Sequence, residues 1–128
     1  MQKVEAVIRP EKILDVKDAL EKLGYGGMTV TEVKGHGNQR GVIEKWEDRE
    51  FWIEFLSKMW CIIVVDDRDA DAVIEAICDA AYTGEPGDCK IFVSGVHEVI
   101  RVRTRERGSS ALTGGTPVEA PAAVQAGT

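Results

Sequence analysis

One pattern occurs twice in this chain, and the doubling restricts the fold more than any other feature. Lys3 to Arg9 (KVEAVIR) alternates β-branched and polar residues as a strand does, and Pro10 stops it. From Glu11 to Leu23, Ile13, Val16, Leu20 and Leu23 recur at helical spacing, and Gly24 stands where a helix C-cap belongs. Met28 to Lys34 reads as the second strand. The third strand, Met59 to Val65, opens the second half. Its helix runs from Asp69 to Tyr82 on Ala70, Val73, Ile77 and Ala80, with acidic residues at the start where the helix dipole favours them. Lys90 to Val93 and Val96 to Arg103 close the domain with strand character. Two βαβ halves in this order predict an α+β, ferredoxin-like antiparallel sheet with two helices on one face.

The third strand carries a further expectation. Met59, Cys61, Ile63 and Val65 are apolar on one parity and Trp60, Ile62 and Val64 on the other. Two layers bury only one of these faces, so the second calls for a partner, most economically another copy of the chain.

Between the halves, Gly35 to Leu56 is a long insertion with no clear periodicity, uncommon in a compact domain unless the loop has a task. It opens on the flexible, donor-rich Gly35-His36-Gly37-Asn38-Gln39-Arg40-Gly41. Trp46, Phe51, Trp52 and Phe55 then appear among charges, and large aromatics on a loop suit protein docking. Phe55 reads better as packing at the loop base.

From Thr83 to Arg103 the sequence TGEPGDCKIFVSGVHEVIRVR places a Gly-Asp-x-Lys turn directly before an apolar strand. Backbone N–H groups and the Lys90 ammonium at such a turn suit phosphate oxygens. Arg101 and Arg103 are spaced to share one face of a strand. Three cations near one loop suggest a polyphosphate. The same residues also read as an ordinary glycine turn and a solvated basic strand end, and so short a motif does not choose between the two.

With 16 Lys and Arg against 22 Asp and Glu, the net charge of −6 argues against nucleic acid as a general partner. The longest apolar run, Met59 to Val65, is far short of the roughly 20 residues that cross a bilayer, and the N-terminus lacks a signal-peptide core, so a cytoplasmic protein is expected. Cys61, Cys78 and Cys89 form no Cys-x-x-Cys pair. Cys61 and Cys78 read as small core residues, while Cys89, inside the loop, is a candidate reactive thiol. Beyond Arg107, the residues 108–128 turn to Gly, Ser, Ala, Thr and Pro and read as a disordered tail.

Taken together, VEAVIRPEKILDVKDALEKLG, GMTVTEVKGHGNQRG and TGEPGDCKIFV followed by VIRVRT make residues 1–107 resemble the PII signal-transduction family, the trimeric nitrogen-regulatory proteins. The resemblance implies a homotrimer with ATP or ADP in clefts between subunits, and an extended T-loop, about residues 37–55, that docks on transporters or enzymes. It assigns Gly87, Asp88, Cys89 and Lys90 to the phosphate loop and Arg101 and Arg103 to a basic pair reaching across the cleft. Gly35, Gly37, Asn38 and Gln39 would form the loop base beside the nucleotide, and Thr29 and Val64 would line the adenine. By the same resemblance, Mg-ATP recruits 2-oxoglutarate through Gln39 on the metal, the Lys58 ammonium on a carboxylate, and backbone N–H groups around Gln39, Arg40 and Gly41. A hard cation prefers oxygen ligands, and a dicarboxylate is costly to desolvate without an ammonium.

Some positions depart from the family pattern. Phe51 stands where proteobacterial members carry a modifiable tyrosine, so no hydroxyl is available there. Cys89 replaces a usual glycine, Ile62 a glutamate of the nucleotide cleft, and Trp60 a lysine. The resemblance is to a divergent subgroup, some of whose members accompany transporters other than ammonium channels. The expectation is a non-enzymatic sensor of ATP and ADP, with 2-oxoglutarate a further input, controlling a target through the aromatics Trp46, Phe51 and Trp52. The alternatives are a PII-like regulator of a metal or anion transporter, or a metal or redox sensor using His36, His97 and the cysteines, whose spacing matches no recognised ligand motif. A slow ATP hydrolase is less favoured, because no nucleophile and base pair is evident and Asp88 reads as a loop-shaping residue.

Overall fold

The computed structural model describes residues 1–36, 43–46, 49–52, 55–88 and 90–112, with side chains left aside for 43–46 and 49–52. Four strands make the main sheet: β1 (Gln2–Ile8), β2 (Thr29–Gly35), β5 (Leu56–Val65) and β6 (Lys90–Gly95). Their order is β2-β5-β1-β6, and every neighbouring pair is antiparallel. With α1 (Ile13–Lys22) after β1 and α2 (Ala70–Ala81) after β5, this is the expected ferredoxin-like arrangement.

Each helix forms for local reasons. Pro10 opens a 3-10 turn, Pro10–Lys12, that leads into α1. Lys17 pairs with Glu21 at 2.9 Å one turn on. A Schellman cap ends the helix, with Tyr25 N–H donating to the Leu20 carbonyl and Gly24 N–H to that of Glu21, both at 3.0 Å. A second 3-10 turn, Asp67–Asp69, enters α2, whose first turn holds Asp71 where the dipole favours a carboxylate.

The core lies between helices and sheet. Val4, Ala6 and Ile8 of β1 and Cys61, Ile63 and Val65 of β5 meet Val16, Leu20, Ala70, Val73, Ile77 and Ala81. Each fully buried aliphatic side chain contributes about 1.5–3 kcal/mol, so this one interface supplies most of the hydrophobic stabilisation. On the opposite face, pairing places Val7 beside Trp60, and Ile62 between Thr29 and Glu5. Phe92, cross-strand from Glu5, is 55% exposed there.

Several expectations are corrected. Residues 96–103 are not a strand: β6 stops at Gly95 opposite Gln2, Val96 N–H donates to the Met1 carbonyl at 3.0 Å, and the chain then leaves the sheet. It folds on itself instead, through an isolated bridge between Ile100 and Arg107 and a turn over 102–104. Cys78 is exposed rather than a core residue, because α2 turns Val73, Ile77 and Ala81 to the sheet; Cys61 is buried as expected. Within the long insertion, β3 (Ile43–Trp46) and β4 (Arg49–Trp52) pair antiparallel, with Trp46 opposite Arg49 and Phe51 opposite Glu44. Of the stretch read as a tail, Gly108–Ala111 forms a 3-10 turn, and 113–128 lies outside the described residues.

Candidate functional site

The Thr83 to Asp88 segment leaves α2 and enters β6, and its shape is set by one carboxylate. Asp88 Oδ2 accepts from Thr83 N–H at 2.8 Å and Gly84 N–H at 2.9 Å. Its Oδ1 accepts from the Thr83 hydroxyl and from Arg9 Nε, the latter at 3.1 Å. A carboxylate offers about four lone-pair sites, and all are taken. The Thr83 hydroxyl, the Thr83 N–H, the Gly84 N–H and Arg9 outweigh desolvation and hold the Asp88 pKa well below the usual carboxylate range. Gly84 and Gly87 have φ of +85° and +108°, so the loop needs glycine at both places.

Cations converge on this loop from the sheet. Arg9 Nη2 donates to the Pro86 carbonyl at 2.8 Å, and Lys58 Nζ to that of Gly87 at 3.0 Å. Lys58 is 5% exposed, and its stem crosses Gly35 so closely that a Cβ there would stand 3.2 Å from Lys58 Cγ. A side chain at Gly35 would therefore press on the Lys58 stem. Lys90 is exposed at the start of β6, opposite Val7 and thus on the face away from the helices. Beneath the loop, a cavity of about 260 Å³ reaches between α2 and β6, lined by Ile8, Ile74, Ile77, Tyr82 and Ile91 and bounded by Asp88 and Lys90.

The remaining candidates divide into separate places. Thr29 is exposed and opposite Ile62; Val64, on the same face, is half-buried. Six residues along β2 separate Thr29 from Gly35, roughly 20 Å of strand, so the expected adenine residues and the base of the insertion lie at opposite ends of one sheet face. Arg103 is exposed in the 102–104 turn. Arg101 is held internally instead, donating to Glu106 Oε1 at 3.3 Å and to the carbonyls of Ser110 and Ala111 at 3.1 and 3.2 Å. The two arginines thus do not share a strand face as their spacing suggested. Gly37, Asn38, Gln39, Arg40, Gly41 and Cys89 lie outside the described residues, as do the side chains of Trp46, Phe51 and Trp52. Phe55 lies at a tilt to His36, ring centroids 5.5 Å apart, but is 57% exposed, so it is less packed at the base of the insertion than expected.

Sequence reasoning missed Arg9. Its signal was only its place at the end of a strand before Pro10, which says nothing of a loop so far along the chain. Among the described residues, no three His, Cys, Asp or Glu side chains gather where they would hold a metal ion. No helix there is long and apolar enough to cross a membrane.

A ferredoxin-like sheet with a carboxylate-closed, cation-flanked loop at one edge defines a small α+β domain. The family described as Nitrogen regulatory protein P-II matches residues 1–106. A Methanothermobacter thermautotrophicus protein named Nitrogen regulatory protein P-II 2 is 51% identical over 112 residues, covering 88% of this chain and 97% of its own. Nitrogen regulatory protein P-II of Rhizobium meliloti is also 51% identical over 112 residues, 88% of this chain and 100% of that protein, as is that of Nostoc punctiforme. The chain belongs to the P-II family and is a signalling regulator rather than an enzyme.

Proposed function

We propose that this protein is a homotrimeric sensor of ATP and ADP that controls a transporter or an enzyme of nitrogen or related metabolism from the cytoplasm. The observation that carries the reading is the loop of Thr83 to Asp88, closed on its own carboxylate and flanked by Lys58 and Lys90. Asp88 is consumed internally, and the exposed Lys90 ammonium beside the loop is the kind of group that binds polyphosphate oxygens. The separation of Thr29 and Val64 from the loop base on one sheet face favours a cleft between two chains, one supplying the adenine side and Arg103, the other the phosphate loop. The apolar face of Val7, Trp60, Ile62, Val64 and Phe92 gives such an assembly its interface.

Gln39 offers an amide oxygen, a suitable hard ligand for Mg2+ accompanying ATP, and that ion would neutralise phosphate charge. Lys58, with backbone groups around Gln39, Arg40 and Gly41, would bind 2-oxoglutarate. Ligand-dependent populations of the insertion would then set affinity for the target, with Trp46, Phe51 and Trp52 as anchors.

Light scattering on the purified protein should give a trimer, and calorimetry should give saturable ATP and ADP binding. Lys90→Ala or Arg103→Ala should remove about 1.5–3 kcal/mol of binding each. A monodisperse monomer, or equal affinity in wild type and both variants, sinks the reading. Trp46→Ala and Trp52→Ala should keep the trimer and its nucleotide affinity while abolishing partner capture; dissociation of the trimer would make these aromatics structural instead.

A further inference from the structure

Arg9 follows β1, the strand between β5 and β6, and is the last residue before Pro10. Its backbone is extended, φ −64° and ψ 139°, as the following proline favours, so the side chain leaves the sheet in a fixed direction. The side chain is 14% exposed. One edge of its guanidinium meets Asp88 Oδ1 and another the Pro86 carbonyl, two points on the loop that the rigid fork engages together.

We infer that Arg9 is a positioning residue for the anion site, holding the Thr83 to Asp88 loop in its binding shape without touching the anion. The inference rests on the functional reading above and deepens it. Two effects follow from the geometry. The fork anchors the loop to the central strand, so the backbone groups around Gly87 are presented at a fixed place. The guanidinium also cancels the Asp88 charge, which would otherwise repel phosphate oxygens beside Lys90. Arg9 thus acts through Asp88, and the pair works as one unit.

The test is calorimetric ATP titration of the full chain, with assembly checked by light scattering. Arg9→Met should weaken ATP binding about tenfold or more, the scale of a lost charge-assisted contact. Arg9→Lys, which keeps the charge but not the fork, should also bind more weakly than wild type. Asp88→Asn combined with Arg9→Met should lose clearly less than the product of the two single losses, because the two residues share one contact. Wild-type affinity in Arg9→Lys alongside weak binding in Arg9→Met would overturn the inference, since charge alone would then suffice. Multiplying losses in the double variant would overturn it too. If Arg9→Met fails to assemble, Arg9→Lys and Asp88→Asn decide, and unchanged affinity in both counts against it. Absence of ATP binding in the wild type would instead overturn the functional reading itself.

Discussion

The ammonium of Lys58, on β5, donates to the carbonyl of Gly87 in the loop before β6, at 3.0 Å. A residue expected to hold a dicarboxylate is therefore also a strut of the phosphate loop. We predict that Lys58→Ala weakens ATP binding by several-fold even without 2-oxoglutarate, a hydrogen bond from a charged donor contributing about 1.5–3 kcal/mol before relaxation. Recruitment of 2-oxoglutarate under saturating Mg-ATP should vanish in the same variant. Calorimetry measures both, and wild-type ATP affinity in Lys58→Ala would show the strut to be dispensable.

Arg101 and Arg103 should separate under mutation. Arg101 is enclosed by Glu106 and the carbonyls of Ser110 and Ala111, whereas Arg103 is exposed. Arg101→Ala is expected to loosen the turn between Val99 and Gly108 and lower the thermal midpoint by a few degrees, the usual response to roughly 1 kcal/mol. Arg103→Ala should leave the midpoint unchanged and lose nucleotide affinity. The reverse pattern in paired melting and binding measurements would exchange the two roles.

Asp88 gives a pH test. Its folded pKa is depressed, the Thr83 hydroxyl contributing most. Against an unfolded value of about 3.9, its stabilisation is present in full above that pH and lost as pH falls through the lower folded value. The Asp88 carboxyl carbon should therefore keep its ionised NMR shift at pH values where ordinary aspartates are half titrated. Thr83→Val should move the titration upward. A wild-type midpoint near 3.9 would contradict the bonded geometry.

Tyr25 ties α1 to the entry of α2. Its hydroxyl donates to Asp69 Oδ2 at 2.5 Å and accepts from Asp66 N–H at 3.3 Å, and the ring is 5% exposed. Burial and the Asp69 carboxylate push its pKa up, so it stays a donor throughout the physiological range. Tyr25→Phe leaves both partners without the hydroxyl and should cost about 1–3 kcal/mol in urea denaturation at fixed protein concentration. Nucleotide affinity should not change, and a loss there would tie this contact to the site.

The sequence by itself determined the two βαβ halves, the cap of the first helix and most of the buried faces, Cys78 excepted. Those features rest on burial repeating every two residues in strands and every three or four in helices, and on local chemistry such as Gly24 at a cap. The Gly-Asp-x-Lys loop, and the loop-shaping role of Asp88, were legible for the same local reason. Only the tertiary structure decided which cations serve the loop. Arg9 and Asp88 are 79 residues apart, and Lys58 and the Gly87 carbonyl 29, distances over which no periodicity speaks. They meet because the order β2-β5-β1-β6 sets the end of β1 beside the start of β6. The chain leaves the sheet after Gly95, and the turn that follows confines Arg101 while leaving Arg103 exposed, which the two-residue spacing of the pair does not show.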